Sequence, residues 1–130
     1  MQVNGVNHIN IVAADLDRTV EFYESVLGMK AQPIPVAMPG FNGRWIFDSQ
    51  GRPIIHVQGY NPERHGEPKS GPTGSIDHVS LTCTGFADTQ KRCKELGVDF
   101  RVNDRQFGDL RQVFVTDPDN VSLELNFAGD

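Results

Sequence analysis

The feature that most constrains the fold of this chain is an internal repeat. The segment "VNHINIV" near the start matches "IDHVSLT" in the second half, and "WIFDSQGRPIIHV" aligns with "VFVTDPDNVSLEL" without a gap. In this alignment His8 falls on His78, and His56 falls on Glu124. Each half contains a strand, a helix and further strands in the same order, so the sequence predicts two copies of one β-α-β-β-β module.

The length sets the domain organisation. A chain of 130 residues with 38% hydrophobic content fits one compact domain with its own core. Within this single domain, residues 1–130, we expect a first module over residues 5–58, a linker loop over residues 59–75 and a second module over residues 76–128. The linker is assigned because "GYNPERHGEPKSGPTGS" is rich in glycine, proline and polar residues and contains little that could be buried.

Local signals define the elements inside each module. Asp15 can cap a helix that Gly28 would end, and "FADTQKRCKELG" predicts the equivalent helix in the second half. Ile34 and Val36 indicate a short edge strand within a segment rich in proline and glycine. Two strands flank a hairpin turn at Gly51, and "QVFVTDPDNVSLELNF" predicts a second hairpin.

Composition excludes several classes of function. The net charge of −5 comes from 17 acidic and 12 basic residues without runs of one sign, which argues against a nucleic-acid surface. Cys83 and Cys93 are the only cysteines and lack the spacing of a disulfide framework or zinc knuckle, so two reduced thiols are expected. The start of the chain has no signal-peptide pattern, and no apolar run is long enough to span a membrane. We therefore expect a soluble, cytoplasmic protein.

Alternation along the strands separates a polar side from an apolar side. The polar side carries His8, Asn10, His56, Gln58, His78, Ser80, Ser122, Glu124 and Asn126. The apolar side carries Ile9, Ile11, Ile55, Val57, Val79, Leu81, Leu123, Leu125 and Phe127. We expect the apolar side to pack under the two helices and the polar sides to face a shared cavity.

The candidate metal ligands are His8, His56, His78 and Glu124. Three imidazoles and one carboxylate suit a divalent transition metal such as iron(II), manganese, nickel, cobalt or zinc, whereas calcium and magnesium want more oxygen ligands. Each residue alone is more often a solvated or hydrogen-bonded side chain on a strand. The repeat favours metal binding for the set, because these residues occupy two pairs of equivalent positions. His56 is either a ligand or a nearby base, and His65 in the linker is expected at the surface.

Further residues are candidates for contact with a small-molecule substrate. An arginine at the mouth of a cavity can hold a carboxylate or phosphate, which makes Arg44 and Arg111 candidates, although exposed arginines are usually only solvated. Trp45 and Phe107 would either form the floor of an apolar pocket or pack in the core. The remaining polar-side candidates are Asn10 and Gln58.

With these residues in view, the chain resembles the vicinal oxygen chelate superfamily, which includes glyoxalase I, methylmalonyl-CoA epimerase, fosfomycin resistance enzymes, extradiol dioxygenases and bleomycin resistance proteins. The resemblance rests on "NHINIVAADLDRTVEFYESVLGM", "IDHVSL" and "DPDNVSLELNF" and covers nearly the whole chain. It implies an α+β fold in which two β-α-β-β-β modules form an open, cup-shaped mixed sheet with the helices outside. It also implies ligand status for His8, His78 and Glu124. The fourth position is glutamate in glyoxalase I and glutamine in the epimerase, so His56 departs from both.

The resemblance implies a metal-dependent enzyme whose substrate chelates the metal through two neighbouring oxygens. Lyase or isomerase chemistry would use Glu124 or His56 to move a proton, and dioxygenase chemistry would use iron(II). The fosfomycin resistance type is disfavoured because the chain shows no basic cluster or potassium-binding loop. The alternative is a metal-free, ligand-sequestering protein of the bleomycin resistance type. A homodimer is expected by resemblance.

Overall fold

The computed structural model describes residues 1–35, 42–68 and 71–128. The chain divides into two compact units, Met1–Lys69 (unit 1) and Ser70–Asp130 (unit 2). Each unit contains one open, four-stranded mixed sheet with helical segments, which confirms the predicted α+β class and the repeated β-α-β-β-β order. None of the helices in the described parts of the chain has the length and apolar character needed to span a membrane.

Unit 1 begins with a strand, a helix and a second strand at the edge of the sheet. Its elements are β1 (Ile9–Ala13), α1 (Leu16–Ser25), β2 (Lys30–Pro33), β3 (Gly43–Phe47), β4 (Pro53–Gly59) and α2 (Pro62–His65). The strand order is β1-β4-β3-β2, with β1 parallel to β4 and the other pairs antiparallel. The parallel pair is possible because the chain between the two strands is long enough to cross over.

Unit 2 repeats this topology. Its elements are β5 (Val79–Cys83), α3 (Phe86–Glu95), β6 (Arg101–Phe107), β7 (Leu110–Thr116) and β8 (Ser122–Ala128). The strand order is β5-β8-β7-β6, with β5 parallel to β8. The register repeats as well, because Asn10 pairs with His56 in unit 1 and Ser80 pairs with Glu124 in unit 2.

The gap-free alignment of the two hairpins is wrong by one residue in their first strands. Trp45 pairs with His56, and the residue that pairs with Glu124 is Phe114 rather than Val113. The difference arises from an irregularity between Ile46 and Phe47, where the pairing of β3 with β4 shifts. A bulge of this kind adds a residue to one strand of a pair and leaves no periodic signal in the sequence.

Helix α1 forms where the sequence predicts it. Asp15 caps it by accepting a hydrogen bond from the Arg18 backbone N–H at 3.1 Å, and Gly28 follows its end with a φ of 65°. Its buried side chains are Leu16, Thr19, Phe22 and Tyr23. Most of the predicted apolar side is buried, namely Ile11, Ile55, Val57, Leu123, Leu125 and Phe127, whereas Ile9, Val79 and Leu81 are only partly buried. The two cores therefore lie on the helical sides of their sheets.

Three local predictions need correction. Strands β1 and β5 begin one residue after His8 and His78, so both histidines precede their strands. The edge strand is Lys30–Pro33, which ends before Ile34, while Val36 lies outside the described residues. Pro33 can end an edge strand because a proline there has no backbone N–H to contribute. The segment predicted as a plain linker contains α2, a four-residue helix.

Candidate functional site

In unit 1 the polar face is the side of the sheet that carries Asn10, Trp45 and His56. The ring of Trp45 stacks on His56 with centroids 4.4 Å apart and an interplanar angle of 12°. His8 meets Trp45 edge-on at 4.9 Å, and its centroid lies 6.4 Å from that of His56. Asn10 Nδ2 lies 2.9 Å from His56 Nδ1. The structure therefore brings together four of the residues that the sequence singled out.

The environment of His56 favours its neutral form. The pKa of His56 lies below its ordinary value because partial burial disfavours the charged ring and, to a lesser degree, because His8 is nearby. Neutral imidazole is the form that binds a metal ion or accepts a proton. Its stacking on Trp45 and its contact with Asn10 fix the orientation of the ring.

In unit 2 the polar face is the side that carries Ser80, Phe114 and Glu124. His78 Nε2 lies 3.4 Å from Glu124 Oε2, and His78 Nδ1 lies 2.8 Å from Asp77 Oδ2. The pKa of His78 is raised above its ordinary value, chiefly by its hydrogen bond to Asp77; burial opposes this rise, and the charges of Glu124 and Asp77 add to it. This histidine and carboxylate therefore form a close pair.

One contact recurs in both units. His8 Nδ1 lies 2.7 Å from Asn7 Oδ1, and His78 Nδ1 lies 2.8 Å from Asp77 Oδ2. In each case the side-chain oxygen of the preceding residue can accept the Nδ1 proton, which leaves Nε2 as the ring atom available for another ligand. Metal-binding histidines commonly show this arrangement.

A chain of side-chain amides crosses the polar face of unit 2 and ends at Glu124. Asn103 donates to Gln112 Oε1 at 2.7 Å, and Gln112 donates to Asn126 Oδ1 at 3.0 Å. Asn126 then donates to Glu124 Oε1 at 2.8 Å and to Ser80 Oγ. All donors point toward the carboxylate, so one glutamate oxygen is held while Oε2 faces His78. We call Asn103, Gln112 and Asn126 the amide chain.

The sequence analysis did not predict that Asn103, Gln112 and Asn126 form a connected amide chain. Asn103 and Gln112 are buried, with 5% and 7% of their surface exposed. Alternation within β6 could have placed Asn103 on the polar face, but contact with Gln112 requires the register between β6 and β7.

The structure does not bring Arg44 or Arg111 to the polar faces. Arg44 pairs with the buried Val57, and Arg111 pairs with the buried Phe127, so both arginines lie on the helical side of their sheets. Arg44 donates to the carbonyl of its neighbour Gly43 at 2.7 Å. Their predicted contact with a carboxylate or phosphate of a substrate stays a prediction.

Arg111 has partners on the helical side of unit 2. Its Nε lies 3.2 Å from Asp104 Oδ1, and its guanidinium lies 5.2 Å from the centre of the Phe86 ring. Phe107 ends β6, and the role predicted for its side chain falls outside the described part of the molecule.

Gln58 has a partner that the sequence did not predict. His65 Nε2 lies 3.2 Å from Gln58 Oε1, and the Asn61 backbone N–H donates to His65 Nδ1 at 2.9 Å. His65 is half-buried, and its ring lies 6.1 Å from that of Tyr60. His65, expected at the surface, is thus only partly exposed and has hydrogen-bond partners, because α2 turns this part of the linker back toward β4.

A cavity of about 510 Å³ opens on unit 2 beside the His78–Glu124 pair. Arg101 and Phe114 also line it, and the guanidinium carbon of Arg101 lies 4.0 Å from the centre of the Phe114 ring. Among the described residues there is no group of three or more His, Cys, Asp or Glu side chains arranged to hold a metal ion. The four-residue ligand set stays a prediction.

The fold and these residues define a class of protein. Residues 5–125 match the model of the Glyoxalase/Bleomycin resistance protein/Dioxygenase superfamily, so the chain belongs to that superfamily.

Relatives within it include "Glyoxylase I 4" of Arabidopsis thaliana, 29% identical over 132 residues and covering 96% of this chain and 71% of the relative. A glyoxylase/bleomycin resistance protein/dioxygenase domain from Frankia sp. EAN1pec has the same fold, with a TM-score of 0.76, 19% identity and coverage of 99% and 95% of the two chains. A mutant of the fosfomycin resistance protein FosX from Listeria monocytogenes, complexed with Mn(II) and 1S,2S-dihydroxypropylphosphonic acid, has a TM-score of 0.71, 18% identity and coverage of 99% and 95%. A protein of the same fold is thus known in complex with Mn(II).

Proposed function

We propose that this protein is a metal-dependent enzyme whose small-molecule substrate binds the metal through two neighbouring oxygens. The proposed ligands are His8, His56, His78 and Glu124. The observation that carries the proposal is the duplicated contact at Nδ1, which holds His8 through Asn7 and His78 through Asp77.

The duplicated contact is informative because its two partners differ in chemistry. Asn7 offers an amide oxygen and Asp77 a carboxylate oxygen, yet both lie at hydrogen-bond distance from Nδ1 of the next residue. Solvation of an exposed histidine does not explain why Nδ1 is hydrogen-bonded in both histidines. Metal ligation explains it, because a hydrogen bond at Nδ1 fixes the ring and directs the Nε2 lone pair toward the ion.

The His78–Glu124 pair also fits a shared ion. Two donor atoms that each lie about 2.1 Å from one ion, at an angle near 100°, are about 3.2 Å apart. His78 Nε2 and Glu124 Oε2 are 3.4 Å apart. The other glutamate oxygen accepts from Asn126 and Ser80, which favours single-oxygen ligation through Oε2.

A divalent transition metal in this position would act as a Lewis acid and stabilise negative charge on the substrate oxygens. His8 and His78 bind through Nε2 in this proposal, while the amide chain holds the Glu124 carboxylate. If His56 is a nearby base rather than a ligand, its lowered pKa favours the neutral form that accepts a proton from substrate, and Glu124 is the second candidate for that role. Asn10 keeps the His56 ring in place, and Trp45 supplies an apolar wall beside it.

The proposal covers lyase or isomerase chemistry and extradiol-type dioxygenase chemistry. It disfavours the metal-free, ligand-sequestering alternative, because a binding groove does not require two histidines held at the same ring atom. We further propose that the protein acts in the cytoplasm as a homodimer. The two free cysteines support a reducing compartment, and the superfamily resemblance supports the dimer.

Metal titration of the metal-free protein tests the proposal directly. Isothermal titration calorimetry with Mn(II), Zn(II), Ni(II), Co(II) and, without oxygen, Fe(II) should detect one high-affinity ion per chain. His8→Ala and His78→Ala should each lower the affinity at least tenfold, because each removes a ligand. His65→Ala is the matched control and should bind like the wild type. The proposal is wrong if no ion binds, or if the two ligand variants match the control.

The type of reaction requires a second assay. Oxygen uptake by the iron(II) protein with a panel of catechols would identify dioxygenase chemistry. Metal-dependent exchange of solvent deuterium into 2-oxo or thiohemiacetal substrates would identify lyase or isomerase chemistry, because exchange reports proton removal beside a carbonyl.

A further inference from the structure

We propose that Arg101 binds a carboxylate group of the substrate, in the unit 2 cavity that His78 and Glu124 also line. This inference rests on the proposed function, because the other end of the same molecule would carry the two oxygens that bind the metal. It adds a substrate class, namely compounds in which a vicinal-oxygen group and a carboxylate are separated by a few bonds.

Sheet register places Arg101 on the polar face. Arg101 of β6 pairs with Phe114 of β7, and Phe114 pairs with Glu124 of β8. Directly paired residues project from the same side of a sheet, so these three side chains form one row across neighbouring strands. Adjacent strands lie about 4.8 Å apart, which puts the backbones of Arg101 and Glu124 about 10 Å apart. A small molecule can span that distance.

The guanidinium of Arg101 lies over an aromatic ring. Its central carbon lies 4.0 Å from the centre of the Phe114 ring. Stacking on an aromatic ring uses the flat face of a guanidinium, while its edge keeps the pair of N–H donors that matches a carboxylate. Phe114 thus orients Arg101 without occupying the atoms that would contact a ligand.

Arg101 differs in charge pairing from the other two arginines of β6 and β7. Arg105 lies 3.9 Å and Arg111 3.2 Å from Asp104, but over the described residues Arg101 has no carboxylate within ion-pair distance. Asp77 and Asp99 line the same cavity and would repel an anion elsewhere in it. One guanidinium among acidic side chains favours a singly charged, planar carboxylate over a phosphate, which carries more charge.

The first module shows that the fold does not require this cation. The equivalent row of unit 1 is Gln32, Trp45 and His56, in the same strand order. The repeat therefore keeps an aromatic residue beside the proposed ligand but has a neutral glutamine where unit 2 has Arg101. A structural role that the scaffold needed would be filled by a cation in both copies.

Binding of two matched probes tests the inference. The Mn(II)-loaded full-length protein is titrated, without oxygen, with 3,4-dihydroxybenzoate and with the neutral 3,4-dihydroxybenzamide. Both probes present the same vicinal oxygens and differ in the carboxylate. The wild type should bind the benzoate at least tenfold more tightly than the benzamide, because a charge-assisted pair with arginine is stronger than a neutral contact.

Three variants assign the preference to Arg101. Arg101→Gln should remove the preference for the benzoate and leave the affinity for the benzamide unchanged, while Arg101→Lys should keep part of it. Arg92→Gln removes the same charge from an exposed position on α3 and should behave like the wild type. Circular dichroism checks that each variant is folded.

The possible failures are distinguishable. If Mn(II) does not bind, the proposed function is wrong and the inference falls with it. If Mn(II) binds but the wild type does not prefer the benzoate, including the case in which neither probe binds, only the inference is overturned. Equal weakening of both probes by Arg101→Gln would also overturn it, because that result indicates a structural role.

Discussion

The amide chain makes Gln112 a polar residue on which stability should depend. Gln112 accepts from Asn103 at 2.7 Å and donates to Asn126 at 3.0 Å, and only 7% of its surface is exposed. Gln112→Met keeps the length of the side chain but removes both hydrogen bonds. The buried Asn103 then loses a partner for Nδ2, and the half-buried Asn126 loses a partner for Oδ1.

The expected cost follows from these two groups. A buried polar group without a partner costs about 1–3 kcal/mol, and Asn126 belongs at the lower end because it can turn toward water. The sum is about 2–4 kcal/mol, reduced by roughly 1 kcal/mol because methionine is buried more favourably than glutamine. We therefore expect Gln112→Met to lower the free energy of unfolding by about 1–3 kcal/mol.

Urea denaturation followed by circular dichroism measures this change, with Gln50→Met at an exposed turn as the control. A double-mutant cycle with Asn103→Leu isolates the contact, because removing both partners costs less than the sum of the single changes. A loss below about 0.5 kcal/mol, or strictly additive effects in the cycle, would refute the argument that these amides act as a connected chain.

Three further predictions concern the core, the histidine pair and a thiol. Ile55→Ala should cost about 2–5 kcal/mol in unfolding free energy because Ile55 is fully buried, whereas Ile76→Ala, at an exposed residue, should change it by less than about 0.5 kcal/mol. Asp77→Asn should lower the pKa of His78, measured by NMR titration of the metal-free protein. Because the pKa of His78 is raised in the folded state, its contact with Asp77 stabilises the fold fully below the ordinary pKa of histidine, and this stabilisation is lost as pH rises through the raised pKa. A free energy of unfolding with the same pH dependence in the variant as in the wild type would contradict this. Burial raises the pKa of Cys83 to about 11, so at pH 8 only about one thiol in a thousand is ionised and labelling by a disulfide reagent should be far slower than for free cysteine. Comparison with Cys83→Ser assigns the labelling to Cys83. Labelling of Cys83 at the rate of free cysteine would contradict the prediction.

The parts of the fold that the sequence predicts depend on local signals. Asp15 caps α1 through its own side chain, and Gly51 adopts a φ of 76° in the first hairpin turn. Both features depend on only a few neighbouring residues. The repeat adds longer-range information, because it predicts the common order of strands and the polar positions of His56 and Glu124.

The parts that could not be predicted depend on register between strands. A shift of one residue moves a side chain to the other face of a sheet, and the irregularity between Ile46 and Phe47 therefore decides on which face Arg44 lies. The row of Arg101 and Phe114 depends on the same kind of information. His65 reaches Gln58 through a non-periodic segment, in which spacing carries no directional signal.

The shared parallel register of the two units has a consequence for how such a chain can evolve. Ile9 pairs with Ile55 and Val79 with Leu123, so apolar residues align both pairs of strands in the same way. The adjacent polar positions are then free to diverge after duplication while the parallel pairing is kept, as the pair of His56 and Glu124 shows. A single substitution in one copy can alter the chemistry offered to a ligand while the other copy keeps its own. After duplication, the strand pairing can thus be conserved in both copies while the polar side chains of one copy change.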